Sequence, residues 1–183
     1  TTGTSSTTVT LCFLYSHGGF TTASDNVTLV ASGGDIGSSA QALSLKSSGS
    51  NTALTLNGAP NNVYLTQTSG ILDLYNNIST TLSGQAVLTA DVLNVATFSP
   101  APTPTPVPLN ATGGVYVAPL TSSTTIFVGG SSKSSGLLHL TDSEQAFLNP
   151  NGALTIGTTS TTGKITLETL TRNNSSDSTL ALL

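Results

Sequence analysis

The sequence predicts an all-β fold in which many very short strands stack on one another. Triplets of an aliphatic, a hydroxyl and a second aliphatic residue recur along the chain, with Gly, Ser or Asn between them. Alternate side chains of a strand face opposite ways, so each triplet points two aliphatic groups one way and one polar group the other. Regular turn signals between such triplets indicate a stacked β architecture. The triplets are 27–29, 43–45, 54–56, 154–156 and 165–167, with variants at 63–65, 72–74 and 115–117.

Composition favours a folded chain of low charge. Of the 183 residues, 37% are apolar and only 7% are charged, and the net charge is −4. Disorder accompanies low hydrophobicity and high net charge, and this chain has neither. The basic residues are too few for the stripe that binds nucleic acid, and no apolar run approaches the ~18 residues of a membrane span. The four basic residues are Lys46, Lys133, Lys164 and Arg172.

Turn and proline signals divide the chain into four predicted regions. We expect a leader and N-terminal strand at 1–20, a first β region at 21–98, a Pro-rich linker or loop at 99–110 and a second β region at 111–183. Alternating Pro residues cannot join a sheet ladder and favour an extended conformation. The two β regions form either two stacks or one stack with an inserted loop. Predicted strands of the second region are 115–120, 125–128, 137–140, 146–148, 154–156 and 165–170.

Residues 9–15 form the longest β-prone apolar run. Val9, Leu11, Phe13 and Tyr15 are candidate assembly residues, because this run is either a buried strand or a strand donated to a neighbouring molecule. Apolar residues also recur at 180–183, and strand ends with few charges invite edge pairing. We therefore expect contact with identical subunits or with the continuation of a longer chain.

Residues 27–37, followed by 42–45, are similar to the haemagglutinin-type repeats of filamentous-haemagglutinin-like secreted bacterial adhesins. Residues 62–74 resemble the same repeats, and Asn149-Pro150-Asn151-Gly152 resembles a turn in the secretion domain of such proteins, although it lies late in this chain. The resemblance implies a right-handed parallel β-helix on the cell surface. The alternative fold is a β-sandwich filament subunit that receives a donated N-terminal strand.

The residues that carry chemistry are few. Asp142 and Glu144 are two positions apart, so on a strand they share a face; they are either solvated turn residues or a catalytic or cation-binding pair. His17, His139 and Cys12 lack the spacing of a structural zinc site. The Gly/Asp sequence 33–37 is interpreted as a turn rather than a calcium site, since it has no tandem repetition. We predict no catalytic, metal or cofactor-binding residues and no cofactor.

Five Asn-x-Ser/Thr sequons are candidates for glycosylation, although chance produces several in a chain so rich in Ser, Thr and Asn. They begin at Asn26, Asn77, Asn110, Asn173 and Asn174.

The first functional hypothesis is a noncatalytic, extracellular structural or adhesive protein, a segment or subunit of a surface filament or adhesin. The second is a pilus-like subunit assembled by donor-strand complementation through residues 9–15. The third is a β-helix that binds or processes polysaccharide, with surface glycans as its ligands. We expect no nucleic-acid partner and no transmembrane segment.

Overall fold

Parallel strands dominate the protein, and the predicted all-β class is confirmed. The computed structural model describes residues 6–10, 20–22, 26–74, 81–95, 107–134, 136–149, 152–170 and 179–183. The strands are β1 (Ser6–Thr10), β2 (Phe20–Thr22), β3 (Asn26–Ser32), β4 (Leu43–Ala59), β5 (Val63–Leu74), β6 (Ala86–Thr89), β7 (Leu93–Val95), β8 (Val115–Ala118), β9 (Ile126–Val128), β10 (Leu138–Leu140), β11 (Ala153–Ile156), β12 (Ile165–Leu167) and β13 (Thr179–Leu182), and a single helical turn, α1 (Asp142–Gln145), lies between β10 and β11.

The strands form two sheets, and the main path of the larger one follows the order of the chain. In the larger sheet the order is β1-β3-β4-β5-β6-β8-β11-β13, with β2 beside β4 and β7 beside β5. The smaller sheet has the order β10-β9-β12. All pairings between these strands are parallel. Because β6 pairs with β8, strands from both predicted β regions lie in one sheet across the Pro-rich stretch.

Equivalent aliphatic residues of successive strands lie directly over one another. One column passes through β4, β5, β6, β8, β11 and β13, and its members are buried until the last strand, where Leu182 is half-buried. A parallel ladder preserves side-chain facing from strand to strand, so the period-two pattern of each triplet becomes a continuous apolar interior. This column consists of Leu43, Leu65, Leu88, Val117, Ile156 and Leu182.

The facing predicted for the triplets is confirmed at 54–56. Leu54 and Leu56 are fully buried, whereas Thr55 between them is half-buried. Thr55 lies opposite Thr28 of the neighbouring strand, in a ladder of hydroxyl residues on the outer face. In this triplet the hydroxyl residue therefore lies on the outer face, and the aliphatic residues lie in the core.

Polar side chains join the turns that precede neighbouring strands. The Asp35 carboxylate accepts hydrogen bonds from the backbone N–H of Asn62 at 3.1 Å and from its Nδ2 at 2.9 Å. The Asn62 Oδ1 in turn accepts from the backbone N–H of Gln85 at 2.9 Å. The sequence 33–37 thus forms a structural turn, as expected, and its carboxylate holds the turn of the next strand in register.

One predicted strand of the second β region is wrong. Residues 146–148 are not a strand: Ala146 is the C-cap of α1, and Leu148 makes only an isolated bridge to Leu109. The cause is the capping box in which Thr141 and Glu144 bind each other's backbone N–H groups and start a helical turn. Residues 99–106 of the Pro-rich stretch lie outside the described residues, and 107–108 form no strand.

Replacing Leu54 by Asp is expected to lower the free energy of unfolding by about 3–5 kcal/mol, because it places an unpaired charge in the core. The matched change Thr55→Asp is expected to cost about 1 kcal/mol, because its side chain reaches solvent. Urea denaturation of the two variants measures the difference. Equal losses would contradict the facing assignment.

Gly58→Ala is expected to destabilise the protein far more than Gly33→Ala. Both glycines have positive φ angles, 84° and 72°, where a side chain costs about 1–2 kcal/mol. A Cβ at Gly58 would also collide with the Ala31 carbonyl oxygen, whereas one at Gly33 meets nothing within 4 Å. Thermal denaturation of both variants tests the close approach, and similar shifts in Tm would contradict it.

Candidate functional sites

Apolar side chains remain exposed in or just after the last strands of both sheets. β13 ends the larger sheet and β12 ends the smaller one. Leu167, Leu170 and Leu183 are 57%, 43% and 52% exposed, whereas the Val, Leu and Ile residues of β8 and β11 are buried. Terminal strands combine an unfilled ladder with apolar surface, which is typical of surfaces that pair with another strand. We define the apolar end as Ile165, Leu167, Leu170, Leu180, Leu182 and Leu183.

A second distinctive feature is the fully buried carboxylate of Glu144. Its Oε1 accepts hydrogen bonds from the Lys133 Nζ at 2.5 Å and the Val95 N–H at 3.0 Å. Its Oε2 accepts from the N–H and the Oγ1 of Thr141, both at 3.0 Å. Four donors therefore satisfy the two oxygens, which is what allows an ionised carboxylate to remain inside a protein.

The Lys133–Glu144 pair lies against the edge of β7 that faces away from β5. The Leu72 N–H of β5 donates to the Val92 O. Backbone groups of successive residues in a strand point to opposite edges, so those of Leu93 and Val95 point away from β5. There the Lys133 Nζ donates to the Leu93 O, and Glu144 accepts from the Val95 N–H. One ammonium and one carboxylate thus replace the hydrogen bonds that a further strand would make.

The Asn149 side chain likewise takes the place of a pairing strand, at the backbone of Ala111. Its Oδ1 accepts from the Ala111 N–H, and its Nδ2 donates to the Ala111 O, both at 3.1 Å. Asn149 has a φ of 52°, and the Gly152 N–H donates to its O at 3.0 Å. Asn149 and Gly152 are therefore joined by a backbone hydrogen bond, and the Asn149 side chain satisfies the backbone edge at Ala111.

Both ring nitrogens of His139 bind the loop that precedes it. Its ring is fully buried, the Nδ1 accepts from the Ser134 N–H, and the Nε2 donates to the Gly129 O, both at 2.9 Å. Both ring nitrogens are thus engaged by backbone groups, so they are not available to a metal ion. Within the described residues, no group of three or more His, Cys, Asp or Glu side chains could hold a metal.

The expectation that Asp142 and Glu144 are solvated turn residues is wrong for Glu144, which is buried. The alternative that they share a strand face is also wrong, because both lie in α1, where positions two apart do not face each other. Sequence reasoning missed the Thr141–Glu144 capping box, although Thr-x-x-Glu is its signature. No sequence signal identified Lys133 as the partner.

The predicted assembly residues are only partly described. Val9 lies in β1, opposite Leu29 of β3 in the same chain. Leu11, Phe13 and Tyr15 lie outside the described residues, as do Cys12 and His17. Among the sequons, Asn26 begins β3, and Asn77, Asn173 and Asn174 are outside the described residues.

Asn110 is the candidate glycosylation residue whose side chain the structure describes. It is half-buried, and its Nδ2, the atom that a glycan would occupy, lies 3.4 Å from the Pro108 O as a donor. The Thr112 hydroxyl of the same sequon donates to the Leu82 O at 3.2 Å. Glycosylation at Asn110 would require both contacts to open.

Comparisons of the chain with protein-family models, with curated proteins and with solved structures found no match. The resemblance to haemagglutinin-type repeats therefore stays a prediction from the motifs. Across the part of the chain that the structure describes, no helix is long and apolar enough to cross a membrane.

Glu144→Ala is expected to lower the free energy of unfolding by about 3–5 kcal/mol, because it leaves the Lys133 ammonium and the Val95 N–H without their acceptor. Lys164→Ala is the control, since Lys164 is exposed, and its expected cost is within about 0.5 kcal/mol. Urea denaturation compares the two variants. A loss below about 1 kcal/mol for Glu144→Ala would contradict the buried contacts described above.

Proposed function

We propose that the chain is a noncatalytic structural segment of an extracellular surface filament or adhesin, with its strands wound as a right-handed parallel β-helix. The observation that carries the proposal is the apolar end, where aligned aliphatic columns reach the last strand with Leu167 and Leu183 still exposed. Parallel strands that stack in register repeat by translation, so such an end accepts another layer of the same kind. The occupant we propose is a second copy of the chain, added head to tail.

Direction and side-chain pattern support this choice of occupant. A parallel ladder continues only with a strand that runs in the same direction. β1 is parallel to the other strands of its own stack, so β1 of a second copy stacked in the same orientation would run parallel to the last strand of the first copy. Head-to-tail contacts of identical subunits generate open filaments when the rotation does not close. Few charges oppose the contact, because only 7% of the residues are charged.

The extracellular assignment depends on the resemblance of 27–37 and 62–74 to haemagglutinin-type repeats. The low charge and the Ser, Thr and Asn content agree with it, because hydroxyl and amide groups supply polarity through hydrogen bonds alone. The donor-strand alternative is less well supported at Val9, since β1 pairs with β3 of its own chain.

The 183-residue chain is expected to self-associate at micromolar concentration through the apolar end. Leu167→Lys combined with Leu170→Lys should shift it towards the monomer, because burying two new charges opposes the contact. Leu120→Lys is the matched control, since Leu120 is 42% exposed but lies outside the apolar end. Sedimentation velocity measures the three chains. A monomeric wild-type chain, or equal effects of the two changes, would contradict the proposal.

Electron microscopy of the associated material should reveal elongated particles with a repeat of about 4.8 Å along the long axis, the spacing of neighbouring strands. The particles should be thin rods, because each layer contacts only its neighbours. Separate globular sandwich domains would exclude the β-helix.

A further inference from the structure

We propose that residues 129–134 and 136–149 form an edge cap, whose side chains occupy the open edge of β7 and prevent other strands from pairing there. The cap would restrict strand addition to the ends of the stack. The restriction of strand addition to the ends rests on the proposed function, whereas the capping of β7 does not.

The ladder itself explains why β7 needs a cap. β6 pairs with β5 along one edge and with β8 along the other, so both of its edges are filled. β7 follows β6 closely and pairs with β5, but no described strand pairs with its other edge. A strand left open in mid-stack exposes backbone groups beside apolar side chains, which makes it a template for other chains.

The edge cap fills this position with side chains of the correct polarity. A pairing strand would offer an acceptor to the Val95 N–H and a donor to the Leu93 O, and Glu144 and Lys133 supply them. The two side chains also bind each other, so each charge has a partner. Charged groups satisfy the edge without presenting a new ladder of N–H and C=O groups to the next molecule.

Three further contacts fix the edge cap in place. The capping box with Thr141 orients the Glu144 carboxylate. His139 binds the loop at Ser134 and Gly129, on the two sides of Lys133. Asn149 closes the far end of the segment by binding the Ala111 N–H and O. The segment therefore satisfies backbone groups at two places, β7 and Ala111.

The Val95 amide reports directly on capping. In Glu144→Ala, hydrogen exchange of the Val95 N–H is expected to accelerate at least tenfold more than that of the Leu65 amide in the neighbouring paired strand, which accelerates only as far as the whole chain is destabilised. Glu144→Gln should have a smaller effect on Val95, because its amide oxygen can still accept. Asp142→Asn is the matched control in the same helical turn, with Val95 exchange as in the wild type.

The assembly consequence is tested in the background of Leu167→Lys and Leu170→Lys, where end-to-end contact is blocked. Adding Glu144→Ala should restore association by sedimentation velocity, because a new edge has become available. If Glu144→Ala unfolds the chain, seen as the loss of exchange protection at both Leu65 and Val95, the same two measurements are made on Glu144→Gln.

These outcomes separate the two proposals. Val95 exchange that accelerates no more than Leu65 exchange in Glu144→Ala, or a monomer when Glu144→Ala is added to the end variant, would overturn the edge cap. A monomeric wild-type chain contradicts the proposed function alone. The edge cap then still stands if Glu144→Ala accelerates Val95 exchange and makes that monomer associate.

Discussion

In-register parallel stacking is the constraint on which the remaining structure depends. When strands run in the same direction and pair without a shift, each side chain lies over its counterpart, so Leu65 meets Leu43 on one side and Leu88 on the other. A shift of one residue would turn every inward side chain outward. The alternating triplets therefore fix the register as well as the strands, and the turn contact between Asp35 and Asn62 strengthens it.

Stacking also leaves backbone groups unpaired at sheet edges, and polar side chains bind some of them. A layered sheet has edges wherever the ladder stops, and each edge has backbone groups that need partners. In the interior of the stack, side chains supply them: Glu144 and Lys133 at β7, and Asn149 at Ala111. At the apolar end no equivalent charged pair is found among the described residues, and leucines are exposed instead. This contrast is the basis on which end-on assembly is proposed.

The ion pair between the buried Glu144 and the half-buried Lys133 is explained by its surroundings rather than by attraction alone. Removing two charges from water is costly, and it is tolerated when every oxygen and proton has a partner. The Glu144 carboxylate meets this condition through four donors, two of them backbone N–H groups. Its role is therefore to hold the backbone of β7 and the start of α1, and a catalytic role would require the loss of these contacts.

The sequence by itself determined the strand class and the facing of side chains, because a period of two is a local property of extended chains. Leu54 and Leu56 inside with Thr55 outside, and the turn at 33–37, could be predicted for that reason. Tertiary structure decided which strands pair and where Glu144 lies. The Glu144–Val95 bond joins residues 49 positions apart, and no local pattern specifies it. The pairing of β6 with β8 likewise depends on a shared apolar column that exists only once the layers have stacked.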